Sequence, residues 1–335
     1  MTDLSATVLE PEIAPRSKAE ERWRALRTVS RGDVVFRAVL TVFALFLPLL
    51  LLLIAFELFS QAMPAISRFG LSFLTSSTWD PVRSQFGALP LIFGTLYSSL
   101  LALVIAVPLA LACAVFLTEF APKWLRTPVA TMIELLAAVP SVIYGLWGIF
   151  VLIPLLRDHF WPVVRPVLGH LPIFGGVFYG PSVLAAGVIL SVMIVPYIAA
   201  VSREVLLAVP PSQREAGLAL GATRWETVWG IVLPYGRTGI IGAVILGLGR
   251  ALGETMAVQM VIGNRHEVSL SLLQPGYTIA AAIASEFSEA VSDMHLSSLF
   301  LIGAVLFLIT VIVNALARVL VWQVARGSAV GSTAV

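Results

Sequence analysis

Two charged residues stand inside a long apolar stretch of this chain. The segment GLGRALGETMAV (247–258) carries Arg250 and Glu254, four residues apart. On a helix this spacing puts both side chains on one face, within reach of each other. At the centre of a bilayer each charge costs roughly 2.5–3.5 kcal/mol on insertion scales, so such residues rarely stay there without a role. A guanidinium is also a two-pronged donor for the oxygens of an anion. The pair therefore predicts either an ion pair that ties helices together or a site on the path of a transported anion.

The composition excludes a water-soluble domain. Of the 335 residues, 59% are hydrophobic and only 12% are charged, whereas about a quarter of a soluble domain is charged. The net charge of +2 indicates no nucleic-acid partner. Cys113 is the single cysteine, so no disulfide forms within the chain. The four histidines form no ligand pair at helical spacing, and we predict no metal site: His159, His170, His266 and His295.

Six apolar segments are long enough to cross a bilayer, which takes about 20 residues. They are 39–59, 89–118, 128–156, 181–201, 239–263 and 299–321. The sequence thus predicts an all-α polytopic membrane protein with six transmembrane helices. Its membrane domain covers 34–325, between a polar N-terminal tail (1–33) and a short C-terminal tail (326–335).

The basic residues are distributed unevenly between the two sides of these spans. If the N-terminus is inside, most of the 21 Lys and Arg residues fall in inside segments. The outside segments hold only Arg68, Arg83, Arg157, Arg165 and Arg265. Because cytoplasmic segments are enriched in Lys and Arg, we expect both termini to be cytoplasmic.

The longest inside loop between spans, 202–237, is patterned rather than random. Its apolar residues recur at helical spacing on both sides of Gly221, and Pro210 and Pro211 precede a helix start. The pattern predicts a helix, a glycine turn and a second helix, which together would form a knob under the bilayer. One interpretation is an amphipathic hairpin that rests on lipid headgroups.

The residue types of this loop favour a second interpretation, because they resemble the EAA signature of ABC importer permeases. The matching residues are Glu215, Ala216, Gly217, Gly221, Ile231, Leu233 and Pro234. Glycine replaces the usual third small residue, alanine, at position 217. The resemblance implies that the loop docks into a groove of a separate cytoplasmic ATPase, with Glu215 as a charged contact and Gly221 as the sharp turn. The chain has no GxxxxGK[ST] loop, so ATP and Mg are expected on that partner, with no cofactor and no catalytic residue in this chain.

Four further stretches resemble the PstC-type permease of the phosphate ABC importer. They are 86–120, 134–148, 247–264 and 271–290, and the resemblance runs from about residue 70 to 325. It implies a type I importer (MetI-like) permease fold in the bacterial cytoplasmic (inner) membrane. It also implies a heterodimer with a PstA-type sister permease, two copies of a PstB-type ATPase and a periplasmic PstS-type phosphate-binding protein.

The resemblance further implies that Arg250 and Glu254 line the path of inorganic phosphate. Thr255 and Gln259 continue the same helix and are expected near that path, with Ser141 and Tyr144 as weaker candidates. Passage requires weak binding as well as entry, so Glu254 would moderate the attraction of Arg250 for the anion.

Three alternatives stay open. The permease could serve another oxyanion, such as sulfate, molybdate or phosphonate. A membrane-embedded enzyme would need a paired nucleophile and base or metal ligands at membrane depth, and the sequence shows neither. A regulatory role in signalling is compatible with transport.

Overall fold

The structure of the protein, a computed structural model, describes residues 31–329, which are mostly helical. In chain order the α-helices are α1 (Arg31–Phe69), α2 (Ser72–Thr75), α3 (Leu89–Val115), α4 (Lys123–Ala138), α5 (Ser141–Trp147), α6 (Trp161–Leu168), α7 (Val183–Leu207), α8 (Pro211–Ala219), α9 (Arg224–Thr227), α10 (Leu233–Leu252), α11 (Met256–Ile262), α12 (Ile279–Glu286) and α13 (Asp293–Ala329). The predicted tails 1–33 and 326–335 lie largely outside the described residues.

Several helices continue through wider π-helical turns, in which the backbone hydrogen bond spans one more residue. These turns are Phe116–Phe120, Gly148–Leu152, Leu155–Phe160 and Val228–Val232. Single 3-10 turns lie at Pro172–Phe174 and Phe287–Glu289. A short antiparallel hairpin, β1 (Trp79–Asp80) and β2 (Gln85–Phe86), pairs Trp79 with Phe86.

Within the described residues, six helical stretches are long and apolar enough to cross a membrane, so the predicted number of spans is confirmed. They are Val34–Phe69, Leu89–Phe120, Ser141–Leu168, Val183–Leu207, Arg224–Leu252 and Asp293–Gln323. The chain divides into two units, residues 1–56 and 57–335. The helical part of the first unit exposes nearly all its apolar side chains, as expected of a helix whose surroundings are lipid or another subunit.

The second unit is organised around α7, whose span is the most buried of the six. Against it packs α3, which presents a stripe of fully buried alanines at every fourth position: Ala102, Ala106, Ala110 and Ala114. A Cβ added at Gly187 of α7 would lie 2.7 Å from the Leu101 Cγ atom. Small residues on both helices let the two backbones approach closely, which is the usual way helices associate in lipid.

The third span differs from its predicted bounds of 128–156. The structure places a separate helix, α4, before it and begins the span at Ser141. Val139 and Pro140 have extended backbone angles between the two helices. Proline has no N–H to continue the helix and disfavours helical angles in the residue before it. The prediction from apolarity alone therefore treated as one span two helices that Pro140 separates.

Candidate functional site

The charged pair lies at a break between two helices, which differs from the single helix that the sequence predicted over 239–263. Helix α10 ends at Leu252 and α11 begins at Met256. Between them, Gly253 and Thr255 depart from regular helical angles. Irregular backbone inside a membrane protein persists only where protein or a cavity satisfies it, and interrupted helices of this kind are typical of substrate sites in transporters.

Arg250 and Glu254 are paired across this break. The Arg250 Nη2 atom lies 3.4 Å from the Glu254 Oε2 atom, and the side chains are 41% and 5% exposed, respectively. The other carboxylate oxygen, Oε1, accepts a hydrogen bond of 3.4 Å from the Ala257 N–H and so supports the start of α11. The carboxylate is therefore held in place, while the guanidinium remains open on one side.

Tyr197 also contacts Arg250. The sequence analysis did not single out this tyrosine. The Arg250 Cζ atom lies 5.6 Å from the centre of the Tyr197 ring, a cation–π arrangement. The Tyr197 hydroxyl donates to the Ala137 carbonyl at 3.0 Å. One available signal was the position of Tyr197 directly after Pro196, in the middle of an otherwise apolar span.

The other residues that were predicted near the path have different surroundings. Thr255 lies in the break and its hydroxyl donates to the Gly253 carbonyl at 3.2 Å. Gln259 is directed toward α12, where its amide donates to the Ser285 hydroxyl at 2.7 Å. Tyr144 is buried and donates to the Leu136 carbonyl at 2.8 Å. These bonds engage Gln259 and Tyr144 in helix packing, whereas Thr255 stays next to the pair.

The loop between the fourth and fifth spans contains the predicted helix, α8, which begins at Pro211. The chain turns after α8 at Gly221, which has a left-handed backbone conformation with φ +87°. Thr223 caps the next helix, α9. Its hydroxyl accepts from the Glu226 N–H at 3.2 Å, and the Glu226 carboxylate accepts from the Thr223 N–H at 2.7 Å. This capping box fixes the start of the helix. The second helix is thus the first turn of the fifth span and not an independent part of a knob.

The EAA-like residues divide into exposed and packed groups. Glu215, Ala216 and Gly221 are exposed, whereas Gly217 is buried. A Cβ at Gly217 would lie 2.6 Å from the Ile231 Cδ1 atom, so glycine lets α8 close onto the π-helical turn Val228–Val232. Leu233 and Pro234 form the first turn of α10, where the chain continues into the span.

A second polar cluster lies away from this site and joins residues far apart in the sequence. Glu286 Oε2 accepts from the Trp79 indole N–H at 2.7 Å and lies 3.2 Å from His295 Nε2, while Oε1 lies 3.4 Å from His266 Nε2. The His266 ring stacks on Trp79 with 5.4 Å between centres. The sequence spacing of the histidines gave no sign of this meeting. Within residues 31–329, no group of three or more His, Cys, Asp or Glu is arranged to hold a metal ion.

Two ionisable groups of this cluster have shifted pKa values. Burial is the largest single influence on Glu286 and raises its pKa, but the contacts from His266, Trp79 and His295 together hold it below its usual range. Burial raises the pKa of the neighbouring Tyr277 to about 12. Glu286 is therefore an anion and Tyr277 a neutral phenol at neutral pH.

The fold and the site define a class: a multi-pass membrane protein with an interrupted helix at a charged pair and a structured helical loop between two spans. A family comparison then places the chain within that class. It belongs to the family of binding-protein-dependent transport system inner membrane components, whose model matches residues 106–326.

Similar proteins agree with this placement. The phosphate transport system permease protein PstC of Xylella fastidiosa (strain Temecula1) is 45% identical over 318 residues, 94% of this chain and 98% of that protein. PstC of Haemophilus influenzae is 46% identical over 293 residues, 86% and 93% of the two chains. A probable PstC of Methanocaldococcus jannaschii is 37% identical over 304 residues, 89% and 95%.

A solved structure of the MetNI methionine ABC transporter in an inward-facing conformation is similar in fold. Its matching chain has a TM-score of 0.52 at 18% identity and is 99% covered, against 74% of this chain. At this identity the likeness concerns the fold alone. The predicted six-span, MetI-like permease fold is thereby confirmed, as is the resemblance to PstC-type permeases.

Proposed function

We propose that this chain is the transmembrane permease subunit of an ATP-driven importer that moves inorganic phosphate across the bacterial cytoplasmic membrane. The observation that carries the proposal is Arg250, an exposed guanidinium beside a helix break, in a chain 45% identical to a phosphate transport permease. The chain is a transport subunit and not an enzyme, and a separate subunit hydrolyses ATP.

The chemistry of the pair suits an anion that must bind briefly. Phosphate carries one or two negative charges near neutral pH, and the guanidinium fork matches two of its oxygens. Glu254 offsets part of the Arg250 charge, which prevents the anion from being held too tightly. A protonated phosphate oxygen can also donate a hydrogen bond to a carboxylate, which fully ionised sulfate cannot do. Thr255, next to the pair, and Gln259, further along α11, are the other residues that we place on the path.

The partners follow from the family and the loop. We infer a PstA-type sister permease beside this chain, with a second arginine facing Arg250, and a periplasmic PstS-type phosphate-binding protein outside. Two PstB-type ATPases, which carry ATP and Mg, would dock on the cytoplasmic side. Exposed Glu215 and Ala216 of α8 are the contacts we assign to the ATPase, with both chain termini on that same side.

Uptake of phosphate by cells with the complete importer tests this proposal. In Arg250→Gln we expect uptake to be lost while the ATPase still co-purifies with the chain. The matched control is Arg265→Gln, which removes an exposed arginine paired with Glu267 at 2.9 Å and should leave uptake unchanged. Normal uptake by Arg250→Gln would show that Arg250 and Glu254 serve only in helix packing.

Competition by other anions separates phosphate from the alternative, an importer for another oxyanion. Uptake of labelled phosphate should resist an excess of sulfate, molybdate or phosphonate. If one of these anions displaced phosphate and was itself accumulated, that anion would be the substrate.

A further inference from the structure

One arginine joins the cytoplasmic loop to the ends of two spans. Arg214 lies in α8, directly before Glu215. Its Nε and Nη2 atoms donate to the Glu119 carboxylate at 3.1 and 2.9 Å. Nη2 also donates to the Leu206 carbonyl at 2.7 Å, and Nη1 donates to the Val209 carbonyl. The side chains of Arg214 and Glu119 are only 22% and 15% exposed.

The partners of Arg214 belong to three different segments. Glu119 lies in the π-helical turn Phe116–Phe120 that ends the span of α3. Leu206 lies in the last turn of α7, and Val209 lies just beyond the end of that helix. The carbonyls at a helix end lack the regular helical partner. The Leu206 carbonyl accepts from the Val209 N–H at 3.3 Å, and Arg214 adds a charged donor at this helix end. The guanidinium therefore connects α8, α7 and α3 at one point.

Both spans connect this point with distant parts of the molecule. Along α7, Leu206 lies about 14 Å from Tyr197, at about 1.5 Å per residue, and the Tyr197 ring contacts Arg250. Along α3, the far end contacts the start of α12, because the Ile279 N–H donates to the Thr95 hydroxyl at 2.9 Å. Helix α8 is itself held to the chain that follows it, since buried Gly217 packs against Ile231.

We propose that Arg214 is a positioning residue that transmits movement of the coupling helix α8 to α3 and α7. This inference rests on the proposed function, because the movement comes from the ATPase that docks at α8. Without Arg214, the ATPase can still bind exposed Glu215 and Ala216 and hydrolyse ATP, but the spans no longer follow α8. The loss therefore falls on phosphate moved per ATP hydrolysed and not on docking.

The test uses the complete importer in proteoliposomes, with inorganic phosphate and its binding protein, and measures transport and ATP hydrolysis together. In Arg214→Gln we expect phosphate moved per ATP to fall roughly tenfold, within the range typical of coupling between sites, with all subunits present. Arg214→Lys keeps the charge but reaches fewer acceptors, so its ratio should be intermediate. The control is Glu204→Gln, which removes a carboxylate that is 68% exposed and pairs with neighbouring Arg203.

A second variant decides the case if Arg214→Gln does not assemble. Glu119→Gln keeps an acceptor for the guanidinium and removes only the charge, so assembly should persist and the ratio should fall. The reversed pair, Arg214→Glu with Glu119→Arg, should recover part of the ratio. A wild-type ratio in an assembled Arg214→Gln or Glu119→Gln importer would overturn the inference. Failure of the unchanged importer to move phosphate would instead contradict the proposed function.

Discussion

Replacing Glu254 with Gln removes one negative charge beside Arg250 and keeps the size of the side chain. The amide oxygen can still accept from the Ala257 N–H, as the carboxylate does, so we expect the helix break to persist. Arg250 then lacks its anionic partner, and a bound anion meets less repulsion. We therefore expect Glu254→Gln to bind phosphate more tightly and to release it more slowly.

The size of this effect follows from the distance and the exposure of the pair. Two unit charges about 4 Å apart interact by about 4 kcal/mol at an effective dielectric constant of about 20. The pair is separated by 3.4 Å, but the Arg250 side chain is 41% exposed, and fully exposed pairs contribute only about 0–1 kcal/mol. An intermediate value of about 1.5 kcal/mol corresponds to about a tenfold change in affinity and release.

Initial rates of phosphate uptake over a range of concentrations measure both effects. For Glu254→Gln, the maximal rate and KM should both fall by about tenfold. Glu267→Gln is the matched control, because Glu267 is 56% exposed and pairs with Arg265 outside the spans. If the maximal rate and KM of Glu254→Gln equalled those of the unchanged importer, Glu254 would have no moderating role and the reasoning would be refuted.

Two further predictions concern packing and pH. A Cβ at Gly94 would overlap the carbonyl oxygen of Tyr277, whereas a Cβ at Gly242 meets nothing within 4 Å. Gly94→Ala should thus lower the free energy of unfolding of the purified protein by about 1–3 kcal/mol, seen as a lower melting temperature. Gly242→Ala should leave it unchanged. Glu286 contributes stability above its unfolded-state pKa, near 4.3, because its folded-state pKa is lower. The stability advantage of the unchanged protein over Glu286→Gln should therefore persist from neutral pH to about pH 4 and shrink below it. An advantage that grew with further acidification would contradict this assignment.

Sequence patterns predicted the parts of the fold that depend on length and apolarity. The six spans and the helix that begins at Pro211 follow from hydrophobic runs and from proline near a helix start. The charged pair was visible because an arginine and a glutamate inside an apolar run are costly and therefore conspicuous.

The helix breaks and the second polar cluster were not predicted, for physical reasons. The residues from Gly253 to Thr255 interrupt the helix where Glu254 supplies an acceptor to α11, and such a side-chain contact has no signature in average hydropathy. His266, Glu286 and His295 lie in three separate segments, which meet only when the chain folds and brings in Trp79 from much earlier in the sequence. Spacing along one helix cannot reveal contacts of that kind.

The break before the third span has a consequence for how the freed carbonyls beside the charged pair are satisfied. Where Pro140 ends α4, the carbonyls of Leu136 and Ala137 receive hydrogen bonds from the hydroxyls of Tyr144 and Tyr197. The two phenols thus give these carbonyls the donors that water would otherwise have to supply beside the charged pair. With the tyrosines in place, the bundle can interrupt a helix beside Arg250 and still satisfy the freed carbonyls from its own side chains.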